Sequence, residues 1–313
     1  MTTPKASEQA LPQTALITGA TGFIGGHLVR HLVRVGWKVH ALARQVSTDT
    51  DIARAATWHI YKDDYKSVSE AVNTSEPDVV FHLASLFISE HRPEDIDQLV
   101  NSNLRFGMHL LEAMHQHNVR QLINTGTNWQ HYNNAVYDPV NLYAATKQAF
   151  EAMVDYYCLA HDLAAITLKL YDTYGPKDNR NKLLKILIQA TISGEVVELT
   201  GGEQSIIAIH VCDVNRAFLT AAKMLTNTCS MHGEHKNYSL SNARSYTVKE
   251  IVKIIKNIKN SELKVNWGSR PYRTREVMRQ PTIIPTLPGW RQIHILEDFL
   301  QDCFKETLIK EGD

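Results

Sequence analysis

A tyrosine and a lysine lie four positions apart in the segment YAATK, residues 143–147. The surrounding stretch NLYAATKQAFEAMVDYYCLAHDL has the apolar spacing of a helix, so Tyr143 and Lys147 are predicted to share one helical face. A free phenol has a pKa near ~10 and is a weak acid–base group at neutral pH. A nearby ammonium group stabilises the phenolate and lowers that pKa, which would make Tyr143 usable in acid–base catalysis.

Such a pair also occurs by chance on solvent-facing helices, and its meaning depends on the segment before it. The stretch RQLINTGTNW, residues 120–129, is predicted to be a strand that ends in two hydroxyl residues, Thr125 and Thr127. Doubly wound α/β proteins bind ligands at the carboxyl ends of their strands. A threonine hydroxyl is therefore expected close to the Tyr143–Lys147 pair.

A glycine-rich turn near the start of the chain predicts a binding site for a dinucleotide. The apolar strand ALIT, residues 15–18, is followed by Gly19, Gly22 and Gly25, and then by apolar residues at helical spacing up to Gly36. Glycines let the backbone approach a pyrophosphate, and the start of the helix offers it unpaired N–H groups. Strand, turn and helix together are the context that this interpretation requires.

The rest of the chain continues the alternation of strands and helices, which predicts an α/β fold with a doubly wound parallel sheet and a smaller C-terminal α/β lobe. The predicted division has three parts. They are a disordered lead-in at 1–12, a cofactor-binding domain at 13–174 plus about 205–224, and a substrate-binding lobe at 175–204 and 225–313.

Composition excludes several classes of function. The chain has 313 residues, 43% of them hydrophobic, and 33 basic residues balance 33 acidic ones, so neither a nucleic acid nor a membrane surface is expected as a partner. Four scattered cysteines form no metal-binding motif, and no metal is predicted. The polar N-terminus and the lack of a long apolar run lead us to expect a cytoplasmic protein.

The segment TGATGFIGGHLV resembles the extended branch of the short-chain dehydrogenase/reductase superfamily, that is, the NAD(P)-dependent epimerase/dehydratase family. The resemblance implies a Rossmann-type fold and a Ser/Thr–Tyr–Lys catalytic triad made of Thr127, Tyr143 and Lys147. The family's strand-end pattern favours Thr127 over Thr125, and Asn103 is implied to support the site. The implied cofactor-binding residues are Gly19, Thr21, Gly22, Phe23, Ile24, Gly25, Arg44, Leu83, Ala84, Tyr143 and Lys147.

Arg44, at the end of the second predicted strand, favours NADP(H) over NAD. NAD enzymes usually carry an acidic residue there to bind the ribose hydroxyl, whereas a guanidinium attracts the 2′-phosphate of NADP. The alternative is that Arg44 is a solvated residue at the strand end.

The C-terminal half resembles nucleotide-sugar enzymes of the family. TYGP resembles their NxYGP motif with Asp172 in place of asparagine, and RPYRTREVM resembles the loop that holds the nucleotide diphosphate. The resemblance therefore implies a nucleotide-sugar substrate and a homodimer that packs through the tyrosine-bearing helix. The candidate substrate-binding residues are Thr127, Asn128, Asp172, Arg180, Lys182 and Arg273.

Asn128 and Trp129 stand where the family's dehydratases carry Asp-Glu, so we do not expect this protein to be a dehydratase. NTGTNWQHY and DTYGPKDNRNKLL also resemble the CDP-paratose and CDP-abequose synthases. We therefore expect NADPH-dependent reduction of the C4 ketone of a nucleotide-linked 4-keto deoxy sugar such as CDP-4-keto-3,6-dideoxyglucose, in bacterial surface-polysaccharide synthesis. The alternatives are an NAD-dependent nucleotide-sugar 4-epimerase and a non-catalytic NADP-sensing protein.

Overall fold

The computed structural model describes residues 13–227, 231–259 and 263–310. The lead-in predicted at 1–12 lies outside the described residues. The strands are β1 (Thr14–Thr18), β2 (Lys38–Ala43), β3 (Thr57–Ile60), β4 (Val79–His82), β5 (Gln121–Thr127), β6 (Ala164–Leu170), β7 (Asp172–Tyr174), β8 (Val197–Leu199), β9 (Ser205–His210), β10 (His235–Ser239), β11 (Ser245–Thr247) and β12 (Val265–Trp267). The α-helices are α1 (Phe23–Arg34), α2 (Thr50–Ala55), α3 (Tyr65–Ser75), α4 (Ile96–Val100), α5 (Phe106–Gln116), α6 (Leu142–His161), α7 (Leu183–Ser193), α8 (Val211–Asn227), α9 (Val248–Lys259) and α10 (Leu296–Lys310).

Seven parallel strands form the main sheet in the order β10-β6-β5-β4-β1-β2-β3. The strand order reverses between β1 and β4, and ligands bind at such a switch point in doubly wound sheets. The predicted Rossmann-type fold is confirmed. All residues of β6 are buried, as expected for a parallel strand that helices cover on both faces.

Two apolar layers enclose this sheet. On one face, α1 and α8 pack together, and Leu28 and Phe218 belong to the core that they form with the sheet. On the other face, α3, α5 and α6 pack side by side around Leu110 and Phe150. The sheet therefore fixes the start of α1 and the start of α6 at the same carboxyl edge.

The C-terminal part has its own smaller core. Parallel β7 and β9 are joined by antiparallel β11, while β8 pairs with β12, and α7, α9 and α10 cover them. One strand departs from the division predicted from sequence, because residues 235–239, assigned to the substrate lobe, form β10 at the edge of the main sheet. The short polar segment HKNYS carries almost no strand signal of its own.

The helical stretch from Ile96 to Gln116 is interrupted. Five residues of π-helix, Asn101–Arg105, lie between α4 and α5. Single π turns of this kind are frequent at functional sites. This one carries the buried Asn103. No helix among the described residues is long and apolar enough to cross a membrane.

Candidate active site

The glycine turn after β1 has no room for side chains. A Cβ atom added to Gly25 would lie 2.1 Å from the Gly19 carbonyl oxygen, and one added to Gly19 would lie 2.7 Å from the Ala84 nitrogen. Gly19 also has a positive φ of 73°, which glycine adopts without strain. No side chain caps α1, so its first N–H groups remain available for an anion.

The predicted cofactor residues Leu83 and Ala84 lie directly against this turn. Both donate their backbone N–H groups to Thr18 Oγ1, at 3.2 and 3.1 Å. The same hydroxyl lies 2.8 Å from His82 Nδ1. Burial and then the charge of Lys147 lower the pKa of His82 to about 3, so this histidine is neutral and holds the end of β4 in place.

Tyr143 and Lys147 both lie in the first two turns of α6. Asn141 caps this helix by accepting the Ala144 N–H at 3.0 Å, and its amide donates to the Ser89 carbonyl at 2.9 Å. Lys147 is only 2% exposed. Its ammonium makes no hydrogen bond to any other residue in the described part of the chain, which suits a group that awaits a polar ligand.

Asn103 links α6 to the segment that follows β4. Its amide donates to Thr146 Oγ1 at 2.9 Å and to the Leu86 carbonyl at 3.0 Å, while its oxygen accepts from Leu86 N at 2.7 Å and from Ser85 Oγ at 3.1 Å. Thr146 in turn donates to the Tyr143 carbonyl at 2.7 Å. The supporting role that the family resemblance implied for Asn103 therefore has a network of contacts that can perform it.

The pKa values of the pair differ from the sequence expectation in one respect. Burial raises the pKa of Tyr143 to about 12, with the neighbouring Ser85 hydroxyl opposing the rise. The change is therefore opposite in direction to the lowering expected from Lys147. Burial also lowers the pKa of Lys147 to about 8, while Glu151 raises it and Lys169 lowers it further. Without other groups, Tyr143 is held as a neutral phenol.

Thr127 is the last residue of β5 and is almost fully buried. Its backbone N–H donates to Gln130 Oε1 at 3.0 Å, and its hydroxyl accepts from Trp129 N at 3.3 Å. The hydroxyl of Thr125, the alternative triad member, is buried and has no partner among the described residues. Thr125 and Thr127 are two residues apart in β5, with Gly126 between them, so both side chains lie on the same face of the sheet.

A buried ion pair that sequence reasoning missed lies behind these residues. Lys169 Nζ is 2.5 and 2.6 Å from the Glu151 carboxylate oxygens, and both side chains are at most 3% exposed. Gln130 donates to Glu151 at 2.9 Å, which joins the ion pair to Thr127. Glu151 follows Lys147 by four residues on α6, so the sequence spacing could have predicted that it shares a helical face with Lys147. Its partner Lys169 lies on a different element, β6, so the same spacing rule could not have identified it.

Arg44 follows the last residue of β2, beside the glycine turn, and is exposed. No carboxylate of the described residues lies within ion-pair distance of it. The acid nearest in sequence is Asp49, which caps α2, and it already pairs with Arg30 and with Lys177 (3.4 Å). Arg44 is therefore free to bind an anionic group.

An aromatic wall, Phe87 and Trp129, stands beside Tyr143. The Phe87 ring meets the Tyr143 ring edge to face, with centroids 5.0 Å apart, and lies 5.6 Å from the Trp129 ring. Two predicted substrate residues flank the wall, because Lys182 Nζ lies 4.6 Å from the Phe87 centroid and the Arg273 guanidinium 5.5 Å from that of Trp129. Sequence reasoning did not single out Phe87, whose apolar neighbours carry no distinguishing pattern.

The other candidate substrate residues are placed differently. Asn128 lies next to the wall and donates to Gln280 at 2.5 Å, and Asp172 lies 3.7 Å from Lys182. Arg180 instead packs over Phe23 at the glycine turn, 4.4 Å from the ring centroid, and pairs with Asp178. The structure thus brings Arg180 to the cofactor turn and not to the wall.

A cavity of about 980 Å³ extends from this region into the C-terminal part. It begins at Asp172 and Lys182 and reaches Phe299 and Cys303 in α10. Tyr143 and Lys147 do not line it. The cavity is therefore suited to the part of a substrate that lies away from the reacting carbon.

Three potential metal ligands, His210, Cys212 and His294, lie within 4.8 Å of one another, and the two histidines line this cavity. The sequence spacing did not predict this cluster. His210 Nδ1 accepts the Cys212 N–H at 3.2 Å, and His294 Nδ1 lies 3.1 Å from the buried Asp213 carboxylate. Asp213 also accepts the backbone N–H groups of residues 293 and 294, so these contacts fasten α8 to the segment before α10.

The sequence pattern of the NAD dependent epimerase/dehydratase family matches residues 15–233. The chain belongs to that family. Among similar proteins, a CDP-abequose synthase from Yersinia pseudotuberculosis is 28% identical over 266 residues, covering 84% of this chain and 90% of that protein. A CDP-abequose synthase from Salmonella muenchen is 27% identical over 278 residues, covering 88% of this chain and 91% of its own length.

Solved structures with the same fold include UDP-glucose 4-epimerases. That of Thermus thermophilus, in complex with NAD, superposes with a TM-score of 0.79 at 22% identity, covering 93% of this chain and 99% of that one. A second, from Stenotrophomonas maltophila with NAD bound, gives a TM-score of 0.81 at 18% identity, covering 96% of this chain and all of that one. At these identities the likeness establishes the fold alone.

Proposed function

We propose that this protein uses NADPH to reduce the C4 ketone of a nucleotide-linked 4-keto deoxy sugar, with CDP-4-keto-3,6-dideoxyglucose as the candidate substrate. The proposal depends above all on the arrangement at the start of α6, where a neutral Tyr143 precedes a buried Lys147 that has no hydrogen-bond partner among the described residues. The two CDP-abequose synthases that resemble this chain over most of their length support a CDP-sugar substrate.

The residues around the glycine turn fit a nicotinamide dinucleotide. Gly19 and Gly25 form a cradle that any Cβ would fill, and the uncapped start of α1 can bind a pyrophosphate. Arg44 is exposed and unpaired among the described residues, and a guanidinium at the end of β2 suits the 2′-phosphate of NADP. When bound, such a cofactor supplies the hydride.

In the proposed mechanism, Tyr143 donates its hydroxyl proton to the C4 oxygen as the ketone becomes an alcohol. The ammonium of Lys147 would hold the ribose of a bound cofactor, and it stabilises the phenolate left on Tyr143. Thr127 provides a second hydroxyl for the carbonyl oxygen. Lys182 and Arg273, next to the aromatic wall, supply positive charge for the substrate diphosphate.

Elimination of water is a less suitable reaction for this site. The residues after Thr127 are an amide paired with Gln280 and the indole of the aromatic wall, so neither can act as a carboxylic acid or base. The remaining alternative is 4-epimerisation, which needs no net consumption of a cofactor. The NAD-bound 4-epimerases share this fold, which keeps the alternative open to experiment.

The test is a panel of CDP-4-keto-3,6-dideoxyglucose and the CDP-, dTDP-, GDP- and UDP-4-keto-6-deoxy sugars, with oxidation of NADPH followed by absorbance. We expect stoichiometric loss of NADPH with at least one nucleotide series and no NAD(H) retained in the purified protein. Tightly bound NAD(H), together with no consumption of added NADPH, would instead establish the epimerase.

We further propose a homodimer that packs through α5 and α6. Leu159 is 83% exposed on α6, and Tyr156 and Met108 are exposed on the two helices. Large exposed apolar side chains of this kind are typical of an interface. Light scattering should give twice the chain mass, and Leu159→Glu should reduce it to that of one chain. A wild-type mass of one chain contradicts the proposal.

A further inference from the structure

The loop between β7 and α7, residues 175–182, folds back onto α1. Its Pro176 carbonyl lies 3.0 Å from His27 Nε2 in α1, and Lys177 Nζ lies 3.4 Å from the Asp49 carboxylate that caps α2. Lys177 adopts a left-handed φ of 62°, which costs free energy in a residue with a side chain and persists only where surrounding contacts enforce it. This loop, assigned to the substrate lobe from sequence, is therefore held against α1, beside the glycine turn.

Arg180 of this loop lies over Phe23, the first residue of α1. Its guanidinium carbon is 4.4 Å from the centre of the Phe23 ring. The N–H groups at this helix start have no side-chain cap and favour an anion. A guanidinium at the same place adds a full positive charge to the partial charge of the helix, and its planar N–H groups suit a phosphate.

The Arg180 guanidinium is fixed on one side and unoccupied on the other. Nε and Nη2 each donate to the Asp178 carboxylate at 2.8 Å, and Nη2 also donates to the Thr173 carbonyl at 2.7 Å. Nη1 has no hydrogen-bond partner among the described residues. Because the other contacts already fix the plane of the guanidinium, donation from Nη1 to a phosphate would cost little further side-chain entropy.

We propose that Arg180 is a cofactor-binding residue that donates from Nη1 to the pyrophosphate of the nicotinamide dinucleotide. This inference rests on the cofactor site of the proposed function and assigns Arg180 to the cofactor, not to the substrate. The two arginines at this site then bind different phosphates. Arg44, at the end of β2, suits the 2′-phosphate that only NADPH carries, whereas Arg180, at the start of α1, suits the pyrophosphate that NADPH and NADH share.

The experiment measures the Kd of NADPH and of NADH for the full chain by fluorescence titration, in the wild type and in Arg180→Met. We expect Arg180→Met to weaken both cofactors by a similar factor of about ten, the lower end of the range for a charge-assisted hydrogen bond, because the side chain is partly exposed. Arg44→Asp is the comparison, since its loss is expected for NADPH alone. Circular dichroism and thermal unfolding verify that each variant is folded.

Two controls separate phosphate binding from a structural role of Arg180. Removal of Arg180 leaves the Asp178 carboxylate without its partner, and that charge would itself repel a pyrophosphate. The double variant Arg180→Met, Asp178→Asn removes both charges and should bind NADPH as weakly as Arg180→Met, within about twofold. Lys177→Met removes another cation and another anchor of the same loop, and should leave the Kd within about twofold of the wild type, because exposed ion pairs contribute little.

Four results would overturn the inference and leave the proposed cofactor site intact. They are an unchanged Kd in Arg180→Met, a loss confined to NADPH, recovery of wild-type affinity in the double variant, and an equal loss in Lys177→Met. A wild type that binds neither NADPH nor NADH would instead remove the proposed function on which the inference rests.

Discussion

Replacing Glu151 with glutamine removes one charge of the buried ion pair that lies one turn beyond Lys147 on α6. Coulomb's law with an effective dielectric constant of about 20 gives an attraction of about 7 kcal/mol for unit charges at the observed 2.5 Å. Desolvation of both ions offsets much of this, and breaking such a pair at one partner usually costs about 3–5 kcal/mol. We expect Glu151→Ala to lose that much unfolding free energy, and Glu151→Gln less, because its amide oxygen can still accept from Gln130 and Lys169.

The pair also acts on the charge of Lys147, and the two partners act in opposite directions. Burial lowers the pKa of Lys147 to about 8, while Glu151 raises this pKa and Lys169 lowers it further. If the ammonium form is needed, kcat/KM falls as the pH rises through this pKa. Glu151→Gln should therefore move the decline to lower pH. Lys169→Met should move it to higher pH, because Glu151 then retains Lys147 as its neighbouring cation.

The assay is kcat/KM for NADPH-dependent reduction across pH 6 to about 10, with urea unfolding of each variant. The double variant Glu151→Leu, Lys169→Met is the control for stability, since apolar replacement of a whole buried pair is often neutral or stabilising. A purely structural role for the pair predicts losses of stability and rate with no movement of the pH profile. Profiles that coincide with the wild type, or that move the same way in both single variants, refute the electrostatic reasoning.

Three further outcomes follow from the site. Tyr143→Phe should lower kcat by about 10²- to 10⁴-fold, as loss of a general acid does, with NADPH binding retained by fluorescence titration. Arg44→Asp should weaken NADPH binding more than tenfold, because a charged hydrogen bond contributes about 1.5–3 kcal/mol, and should maintain or strengthen NADH binding, because the new carboxylate can accept from the ribose hydroxyl; equal effects on both cofactors would contradict its role. Gly25→Ala should abolish cofactor binding, since its Cβ would meet the Gly19 carbonyl at 2.1 Å, whereas the Cβ of Gly26→Ala would be too close only to the end of the Ile52 side chain, at 2.7 Å, and this variant should bind.

Features encoded within one short segment could be predicted from sequence. The glycine turn, the helix that follows it and the shared face of Tyr143 and Lys147 depend on neighbouring residues, and the structure places them as the spacing indicates. The parallel sheet also follows from the alternation of strands and helices along the chain.

Contacts between distant segments could not be predicted in this way. Phe87 and Trp129 meet although they are far apart in sequence, and Arg180 packs on Phe23 across the molecule. Their residue types are ordinary, so only the fold reveals them. The pKa of Tyr143 is a further case, because the sequence identifies a nearby lysine but cannot measure the desolvation that outweighs it.

The high pKa of Tyr143 bears on the direction of the reaction. A residue that removes a proton from an alcohol must first become a phenolate, and burial opposes this by raising the pKa to about 12. An oxidised nicotinamide ring carries a positive charge that would counteract the effect of burial, whereas a reduced ring is neutral and would not. With a reduced cofactor, Tyr143 therefore stays protonated across the physiological pH range and can give its proton to a ketone oxygen. An epimerase begins each cycle with the opposite requirement, so in that reaction the charge of the oxidised ring would have to offset the effect of burial on Tyr143.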